Sequence, residues 1–188
     1  MQLTTASNHL DLYIGIYKLY QKKWQKMFKI KENFLDQETF NTIKKEIKLM
    51  PWYYSQHTGS TKDNSNYFFY HVLFANGKVQ SDHYFNFLLL PILGKLDFKY
   101  LHGAKLNLYT KQEKQLKTEY HIDDEIPHTV HLFSFNTNNG YTEFKNGQKI
   151  KSKENPTAIF SGDLEHRSVN QTDENTRINL NINLKNVV

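Results

Sequence analysis

The spacing of hydrophobic and polar residues changes near residue 100 of this chain. Before that point, apolar residues recur at helical spacing, which predicts helices over 10–28, over 36–49 and over 81–93. Asp36 stands where the second helix needs an N-cap, and Pro51 ends that helix. The first part of the chain is therefore expected to be largely helical.

Short β-prone runs make up most of the remaining sequence. An aromatic run over 67–74 precedes the turn-forming pair Asn76-Gly77 and predicts one strand. Six further strands are predicted, over 104–109, 129–135, 141–144, 148–151, 157–160 and 177–184. The last one, Arg-Ile-Asn-Leu-Asn-Ile-Asn-Leu, alternates strictly, so one face should be buried and the other polar.

Many short strands at close spacing predict a β-sandwich or a barrel-like roll. The expected fold class is therefore α+β with a mainly β core. A length of 188 residues suits a single domain over 1–188. In it, residues 1–100 are expected to give mostly helical support, and residues 101–188 to form the β core.

Composition excludes several kinds of function. The chain has no cysteine, which excludes disulfide frameworks, thiolate zinc sites, iron–sulfur ligation and cysteine nucleophiles. Its most apolar run, over 87–93, is far too short for a membrane span and contains Pro91. The first residues show no secretory-signal pattern, so a soluble, cytoplasmic protein without a membrane partner is expected.

The net charge of +5 is carried almost entirely by lysine. Of the 24 basic residues, only Arg167 and Arg177 are arginines. Lysine, asparagine, isoleucine, phenylalanine and tyrosine share A/T-rich codons, so this basicity can reflect genome composition rather than a partner. Nucleic acid is thus a partner that the charge does not favour, and the two arginines become the positions to examine.

One histidine motif has the spacing of a metal site. In His121-Ile122-Asp123, residues i and i+2 of an extended segment project to the same side and can bind one ion. The same spacing at His9 and Asp11 lies in a predicted helix, where the two side chains diverge. Two imidazoles and one carboxylate form the facial triad of non-haem Fe(II) oxygenases, and His166, after a Ser-Gly-Asp turn, is the candidate third ligand.

Arg177 lies eleven residues after His166, at the start of the alternating strand. A guanidinium inside a β-roll offers a planar, bidentate grip on a carboxylate, which lysine cannot reproduce. Arg177 is therefore a candidate anion-binding residue.

The arrangement His121-x-Asp123, His166 and Arg177 resembles that of the Fe(II)/2-oxoglutarate-dependent oxygenases. The prolyl-hydroxylase-like branch, which includes small members in phage and bacterial genomes, is the most similar. Four further segments resemble that branch: Asn33-Phe34-Leu35-Asp36, Asn107-Leu108-Tyr109, Gly140-Tyr141-Thr142-Glu143-Phe144, and the strand over 156–160.

The resemblance implies a double-stranded β-helix (jelly roll) with iron at one mouth. It implies that His121, Asp123 and His166 bind Fe(II), that Arg177 pairs with the far carboxylate of 2-oxoglutarate, and that Tyr109 donates to the same carboxylate. O2 would be the second cosubstrate. The implied activity is hydroxylation of an unidentified prime substrate, either peptidyl or a small molecule.

Several residues have a simpler structural interpretation. His128 and His131 are expected to support the site or the fold, with substrate contact as the alternative. Arg167 is expected on the outer face of its strand, because neighbours on a strand alternate. Trp52, Tyr53, Tyr54 and the run over 67–70 are expected in the core, and Asp124 and Glu125 fit the ligand spacing less well than Asp123.

Two other functions stay open at this point. One is oxidative demethylation of nucleic acid or protein, although the demethylase branch has a second arginine six residues after the first, where this chain has Asn183. The other is a non-catalytic β-roll that binds metal, sugar or nucleic acid. The sequence gives no indication of the prime substrate or of the oligomeric state.

Overall fold

Residues 27–56 and 67–185 are described in this computed structural model of the chain. The first elements are β1 (Phe28–Lys31), α1 (Gln37–Leu49), β2 (Tyr53–Ser55), β3 (Phe68–Ala75), β4 (Lys78–Val79), α2 (Asp82–Tyr84), a π-helical turn (Phe85–Leu89) and α3 (Leu90–Leu93). The later strands are β5 (Tyr100–Thr110), β6 (Thr129–Ser134), β7 (Tyr141–Phe144), β8 (Lys149–Lys151), β9 (Thr157–Ser161), β10 (His166–Val169) and β11 (Thr176–Lys185).

The strands form two antiparallel sheets. The larger sheet has the order β1-β9-β6-β11-β5-β3-β2, with β4 beside β3, and the smaller has the order β10-β7-β8. Two isolated bridges, Lys117 with Val169 and His121 with His166, join the segment before β6 to the two ends of β10. The prediction of a mainly β fold with supporting helices is confirmed.

Helix α1 begins and ends where the sequence predicts. The Asp36 side chain accepts a hydrogen bond from the Thr39 backbone N–H at 2.9 Å, and Met50, just before Pro51, is already extended. The helix predicted over 81–93 is present as α2, the π-helical turn and α3 in succession. Pro91 has no N–H to donate, so the regular hydrogen-bond ladder is interrupted in this stretch. The helix predicted over 10–28 lies outside the described residues, except that Phe28 begins β1.

Strand β11 runs through the middle of the larger sheet and has two buried faces. One face carries Leu180 and Ile182, which pack into the core that helix α1 covers. The other face carries Arg177, Asn179 and Asn181, and it points into the roll. The alternation is therefore as predicted, but the polar face lines the interior rather than the solvent.

A second apolar cluster fills the roll on the side of β1 and β9. Its buried members are Phe28, Val130, Leu132, Phe144, Ile150, Ala158 and Phe160. Because this cluster occupies one side of the space between the sheets, the polar interior is confined to the side of β5, β11 and β10.

The edge of the larger sheet corrects one expectation. Tyr53 and Tyr54 are 57% and 59% exposed, so placing them in the core was wrong. Both belong to β2, which is the last strand of the sheet and has a neighbour on one side only. Among the described residues, no helix is long and apolar enough to cross a membrane.

Candidate metal centre

Three predicted ligands come together at one mouth of the roll. His121, Asp123 and His166 each place one donor atom within 4.8 Å of the others. The Asp123 Oδ1 atom lies 4.0 Å from Nε2 of His121 and 3.8 Å from Nε2 of His166. Within the described part of the chain, this is the only such cluster of potential metal ligands.

The backbone sets the positions of the three side chains. His121 and Asp123 lie on the segment between β5 and β6, and His166 is the first residue of β10. The N–H of His121 donates to the carbonyl oxygen of His166 at 2.9 Å, and the N–H of His166 donates back at 3.0 Å. This reciprocal pair holds the two imidazoles side by side, with ring centroids 4.9 Å apart.

Both imidazoles present the same nitrogen to the cluster. Nδ1 of His166 lies 2.8 Å from the carbonyl oxygen of Leu164, and Nδ1 of His121 lies 3.2 Å from that of Glu119. A carbonyl can only accept, so Nδ1 carries a proton in each ring, and in the neutral ring Nε2 then keeps a lone pair. That is the tautomer in which Nε2 can ligate a metal.

Electrostatics also favour neutral His166. Burial lowers the pKa of the His166 imidazole more than the nearby Asp123 carboxylate raises it. A neutral imidazole is the form that binds metal, so the site does not have to lose a proton at this residue near neutral pH.

Asp123 has a partner that the sequence analysis missed. Its Oδ2 accepts a hydrogen bond from Nδ2 of Asn181 at 2.7 Å. Asn181 is on β11, four residues after Arg177, and therefore on the same face of that strand. The four-residue spacing from Arg177, which puts both side chains on one strand face, is the only signal in the sequence that could have placed Asn181 in the site.

The cluster opens into a polar cavity of about 300 Å³. Its lining combines the three candidate ligands with hydroxyl, amide and aromatic side chains from both sheets. These include Phe68, Lys105, Asn107, Tyr109, Thr118, Leu132, Thr142, Phe160, Ser168, Asn179 and Asn181. A volume of this size suits a small molecule.

Arg177 lies beyond the inner end of this cavity and is only 2% exposed. Its Nε donates to Ser152 Oγ at 2.8 Å, and its Nη1 and Nη2 donate to the hydroxyls of Ser168 and Thr142 at 2.9 and 3.2 Å. No ion pair with a carboxylate within 4.0 Å is found for it among the described residues. Burial lowers the pKa of the guanidinium, but an arginine still stays charged.

The surroundings of Arg177 leave its charge without a counterion. The guanidinium contacts three neutral hydroxyls and the Tyr109 ring, whose centroid is 5.1 Å from Cζ of Arg177. A buried charge without an opposite charge is costly, so this arrangement suits an anion bound in the cavity. Tyr109 also stacks on Phe68 at 5.7 Å and lines the cavity, and its donation to a bound carboxylate stays a prediction.

His128 and His131 lie outside the cluster. His131 pairs across the sheet with Ile182, on the face that packs against the helices. Nδ1 of His128 contacts the carbonyl oxygen of Ile126 at 2.6 Å, and its ring lies where a side chain on Gly162 would be. Neither side chain lines the cavity at the metal cluster.

Arg167 and Asp124 also have other partners. Nε of Arg167 donates to Glu143 at 2.8 Å, and its Cζ lies 4.2 Å from the Tyr120 ring centroid, on the opposite face of β10 from the cavity. Asp124 contacts Nε2 of His102 at 2.6 Å. Asp123 is thus the acidic residue of this loop whose carboxylate lies beside His121 and His166.

Comparison with known proteins identifies the fold. No family model matches the chain, and no curated protein sequence matches it either. Solved structures do match. A viral collagen prolyl hydroxylase from Paramecium bursaria Chlorella virus 1, in complex with 2-oxoglutarate, has a TM-score of 0.57 at 13% identity, over 87% of this chain and 98% of that chain.

Two further structures extend the likeness. A 2OG-Fe(II) oxygenase family oxidoreductase from Burkholderia pseudomallei has a TM-score of 0.62 at 9% identity, over 89% of each chain. HygX from Streptomyces hygroscopicus, with nickel, 2-oxoglutarate and hygromycin B bound, has a TM-score of 0.54 at 9% identity, over 89% of this chain and 85% of that chain. The chain thus has the double-stranded β-helix fold of these oxygenases, as predicted.

Proposed function

We propose that this protein is an Fe(II)- and 2-oxoglutarate-dependent dioxygenase that hydroxylates a prime substrate, either peptidyl or a small molecule. The observation that carries the proposal is the pairing of two features in one cavity. A His-Asp-His cluster stands at its mouth, and a buried arginine without a counterion stands beyond its inner end. A metal site alone, or a buried arginine alone, would suit many functions.

The donor set fits Fe(II). His121, Asp123 and His166 would supply two neutral imidazoles and one carboxylate, and three protein ligands leave positions open for other groups. When bound, the iron and 2-oxoglutarate would supply the oxidising power, through reaction with O2 that releases succinate and carbon dioxide and transfers one oxygen atom to the substrate.

The opposite end of the cavity fits the far carboxylate of 2-oxoglutarate. Arg177 would bind it through its guanidinium, and the hydroxyls of Thr142 and Ser168 would keep that guanidinium in one orientation. Tyr109 would donate to the same carboxylate. Asn181 and Arg177 are four residues apart on one strand, which is about 13 Å, so the strand spans the distance between the two ends.

The prime substrate would enter over the metal cluster. The mouth of the cavity carries Lys105 and Ile122 beside the metal ligands, so polar and apolar groups of a substrate both find partners there. We also propose one domain over 1–188, because β1 and β3 pair with β9 and β5 from the later part of the chain. The cytoplasm is the proposed compartment, since it is reducing and the iron must stay ferrous.

Anaerobic spectroscopy tests the proposal. Addition of Fe(II) and 2-oxoglutarate to the metal-free protein should give the weak visible charge-transfer band of the iron–keto-acid chelate, and His166→Ala should abolish it. His83→Ala, at an exposed histidine outside the cavity, is the matched control and should keep the band. A protein that binds iron but gives no band with 2-oxoglutarate would be a metal-binding β-roll and not this enzyme.

A further inference from the structure

We infer that Asn181 is a positioning residue that fixes the orientation of the Asp123 carboxylate in the metal centre. The inference rests on the proposed function only in taking His121, Asp123 and His166 as metal ligands. It concerns how tightly this chain holds a metal ion, which can be measured without substrate or turnover.

The two oxygens of Asp123 have separate partners. Oδ2 accepts from Nδ2 of Asn181 at 2.7 Å. Oδ1 faces Nε2 of His121 at 4.0 Å and Nε2 of His166 at 3.8 Å. The amide therefore occupies one oxygen and leaves the other directed at the imidazoles. A hydrogen bond to an ionised acceptor is short and strong, so it can hold the carboxylate in this orientation.

Asn181 is held more firmly than the residue it contacts. Asp123 lies on the segment between two strands, where its backbone has no ladder of strand hydrogen bonds on either side. Asn181 lies in the middle of β11 and is paired with Lys105 of β5 on one side and Leu132 of β6 on the other. Strand β11 thus supports Asp123 more firmly than the loop that carries Asp123 does.

The contact fixes which end of the amide faces Asp123. An ionised carboxylate only accepts hydrogen bonds, so the NH2 group of Asn181 must point at it. The amide oxygen, Oδ1, is buried and has no hydrogen-bond partner in the described structure. The bond from Nδ2 to Asp123 is therefore the contact that sets the orientation of this amide.

The neighbouring asparagines on the same face do not have this contact. Oδ1 of Asn179 accepts from Nδ2 of Asn107 at 3.1 Å. Asn183 lines a separate cleft with His102 and Asp124, and its Oδ1 is also buried without a partner. Asn183 thus shares the strand, the face and the residue type with Asn181 but lacks the bond to Asp123, which makes it the matched control.

Nickel affinity of the full-length, metal-free protein tests the inference, with Ni(II) as a redox-inert probe in calorimetric titration. Asn181→Leu keeps the side-chain size and removes the donor, and it should weaken Ni(II) binding by about 10- to 100-fold, as loss of a ligand-orienting partner does. Asn183→Leu should change the affinity by less than about twofold. Thermal melting of each metal-free variant checks the fold, and Asn181→Ser replaces Asn181→Leu if the latter does not fold.

A double-mutant cycle separates positioning from general damage to the strand. In an Asp123→Ala background there is no carboxylate to orient, so adding Asn181→Leu should change Ni(II) affinity by less than about twofold. An equal loss in both backgrounds, or no loss in the native background, overturns the inference while the metal site stands. If the unmutated protein itself binds no Ni(II), the metal site and the proposed function fail together.

Discussion

At the scale of single residues, Arg177 provides the sharpest test of the proposed cosubstrate site. Arg177→Lys keeps the net charge but cannot donate to Ser152, Ser168 and Thr142 and still present a planar pair of N–H groups to a carboxylate. We expect 2-oxoglutarate affinity to fall by about 10- to 100-fold, the equivalent of one strong charge-assisted contact. Calorimetry with 2-oxoglutarate on the nickel-loaded protein measures the change.

The chain supplies its own control for that measurement. Arg167 is the only other arginine. It lies on the face of β10 that points away from the cavity, where it contacts Glu143. Arg167→Lys should leave 2-oxoglutarate affinity within about twofold of the native value. Equal losses for the two substitutions would show that Arg177 does not bind the carboxylate.

Gly140 is required by its neighbours rather than by its backbone angles. A Cβ atom there would lie 2.8 Å from Cδ of Arg177 and 2.9 Å from the carbonyl oxygen of Val169. Because the carbonyl belongs to the backbone, it cannot swing away. We expect Gly140→Ala to lower the free energy of unfolding by about 1 to 3 kcal/mol, as overpacking does. Gly94→Ala, where the nearest atom would be 3.5 Å away, should cost less than about 0.5 kcal/mol. Urea titration of the two variants measures both effects.

His131 should make stability depend on pH. Burial, and to a smaller extent Lys31, lowers the pKa of its imidazole to about 4 in the folded protein. The unfolded chain takes up a proton here near pH 6.5, whereas the folded chain does so only near pH 4. The free energy of unfolding should therefore fall as the pH drops from about 6.5 to about 4, by up to about 3 kcal/mol.

Replacing the side chain isolates that contribution. His131→Leu removes the proton uptake, so the pH slope of its unfolding free energy should be shallower between pH 6.5 and pH 4 than that of the native protein. Identical slopes for His131→Leu and the native protein would contradict the assignment.

At the scale of elements, an ionic network ties the loop that carries His121 and Asp123 to the smaller sheet. The Glu143 carboxylate of β7 is nearly buried and contacts Arg167 of β10 at 2.8 Å and Lys117 of the loop at 3.4 Å. Burial raises the pKa of this carboxyl, but the bonds to Arg167 and Lys117 together lower it below its ordinary value. Glu143 is thus charged at neutral pH and anchors both elements.

Loss of that charge should loosen the anchor. We expect Glu143→Gln to lower the free energy of unfolding by about 1 to 3 kcal/mol, because Arg167, Lys117 and Lys149 lose a buried partner. Glu165→Gln removes an exposed ion pair with Lys145 and should cost less than about 1 kcal/mol. Denaturant titration of the two variants measures both, and equal effects would mean that the network does not anchor the loop.

The elements also differ in how far the sequence predicts them. Helix α1 and the long strand β11 carry their own signals, namely a cap with a terminating proline in one and strict alternation in the other. Strands β1 and β2 carry much weaker signals, since the alternation in β1 covers only Phe28–Lys31. Each of the two has at most four residues. Strand β1 forms by pairing with β9, which is remote in the sequence, and β2 forms by pairing with β3.

The site divides in the same way. His121, Asp123 and His166 could be predicted because metal chemistry constrains their types and spacing, and Arg177 because arginine is rare in this chain. Asn181 could not, because asparagine is common in this chain and its partner lies 58 residues away in the sequence. The chemistry of a site is therefore easier to predict from sequence than the contacts that hold it.

At the scale of the whole molecule, the roll separates its apolar and polar interiors. Helix α1 and its neighbours cover one face of the larger sheet, and the apolar cluster around Phe144 and Phe160 fills one side of the space between the sheets. The remaining side is the cavity, which has an apolar wall on one side and a polar wall on the other. An apolar wall lowers the local dielectric constant and so strengthens the electrostatic contacts that Arg177 and Asp123 can make.

The two buried faces of β11 make this strand intolerant of any change in length. A deletion or insertion of one residue near its start would exchange its faces along the rest of the strand. Leu180 and Ile182 would then enter the polar cavity, and asparagines would be forced among the apolar side chains beneath the helices. The turn over 171–175 before it is constrained as well, because the buried Gln171 donates to the Tyr109 carbonyl and the Asn139 backbone donates to Asp173. Variation among homologous chains should therefore take the form of substitutions within β11 and of length changes outside both segments.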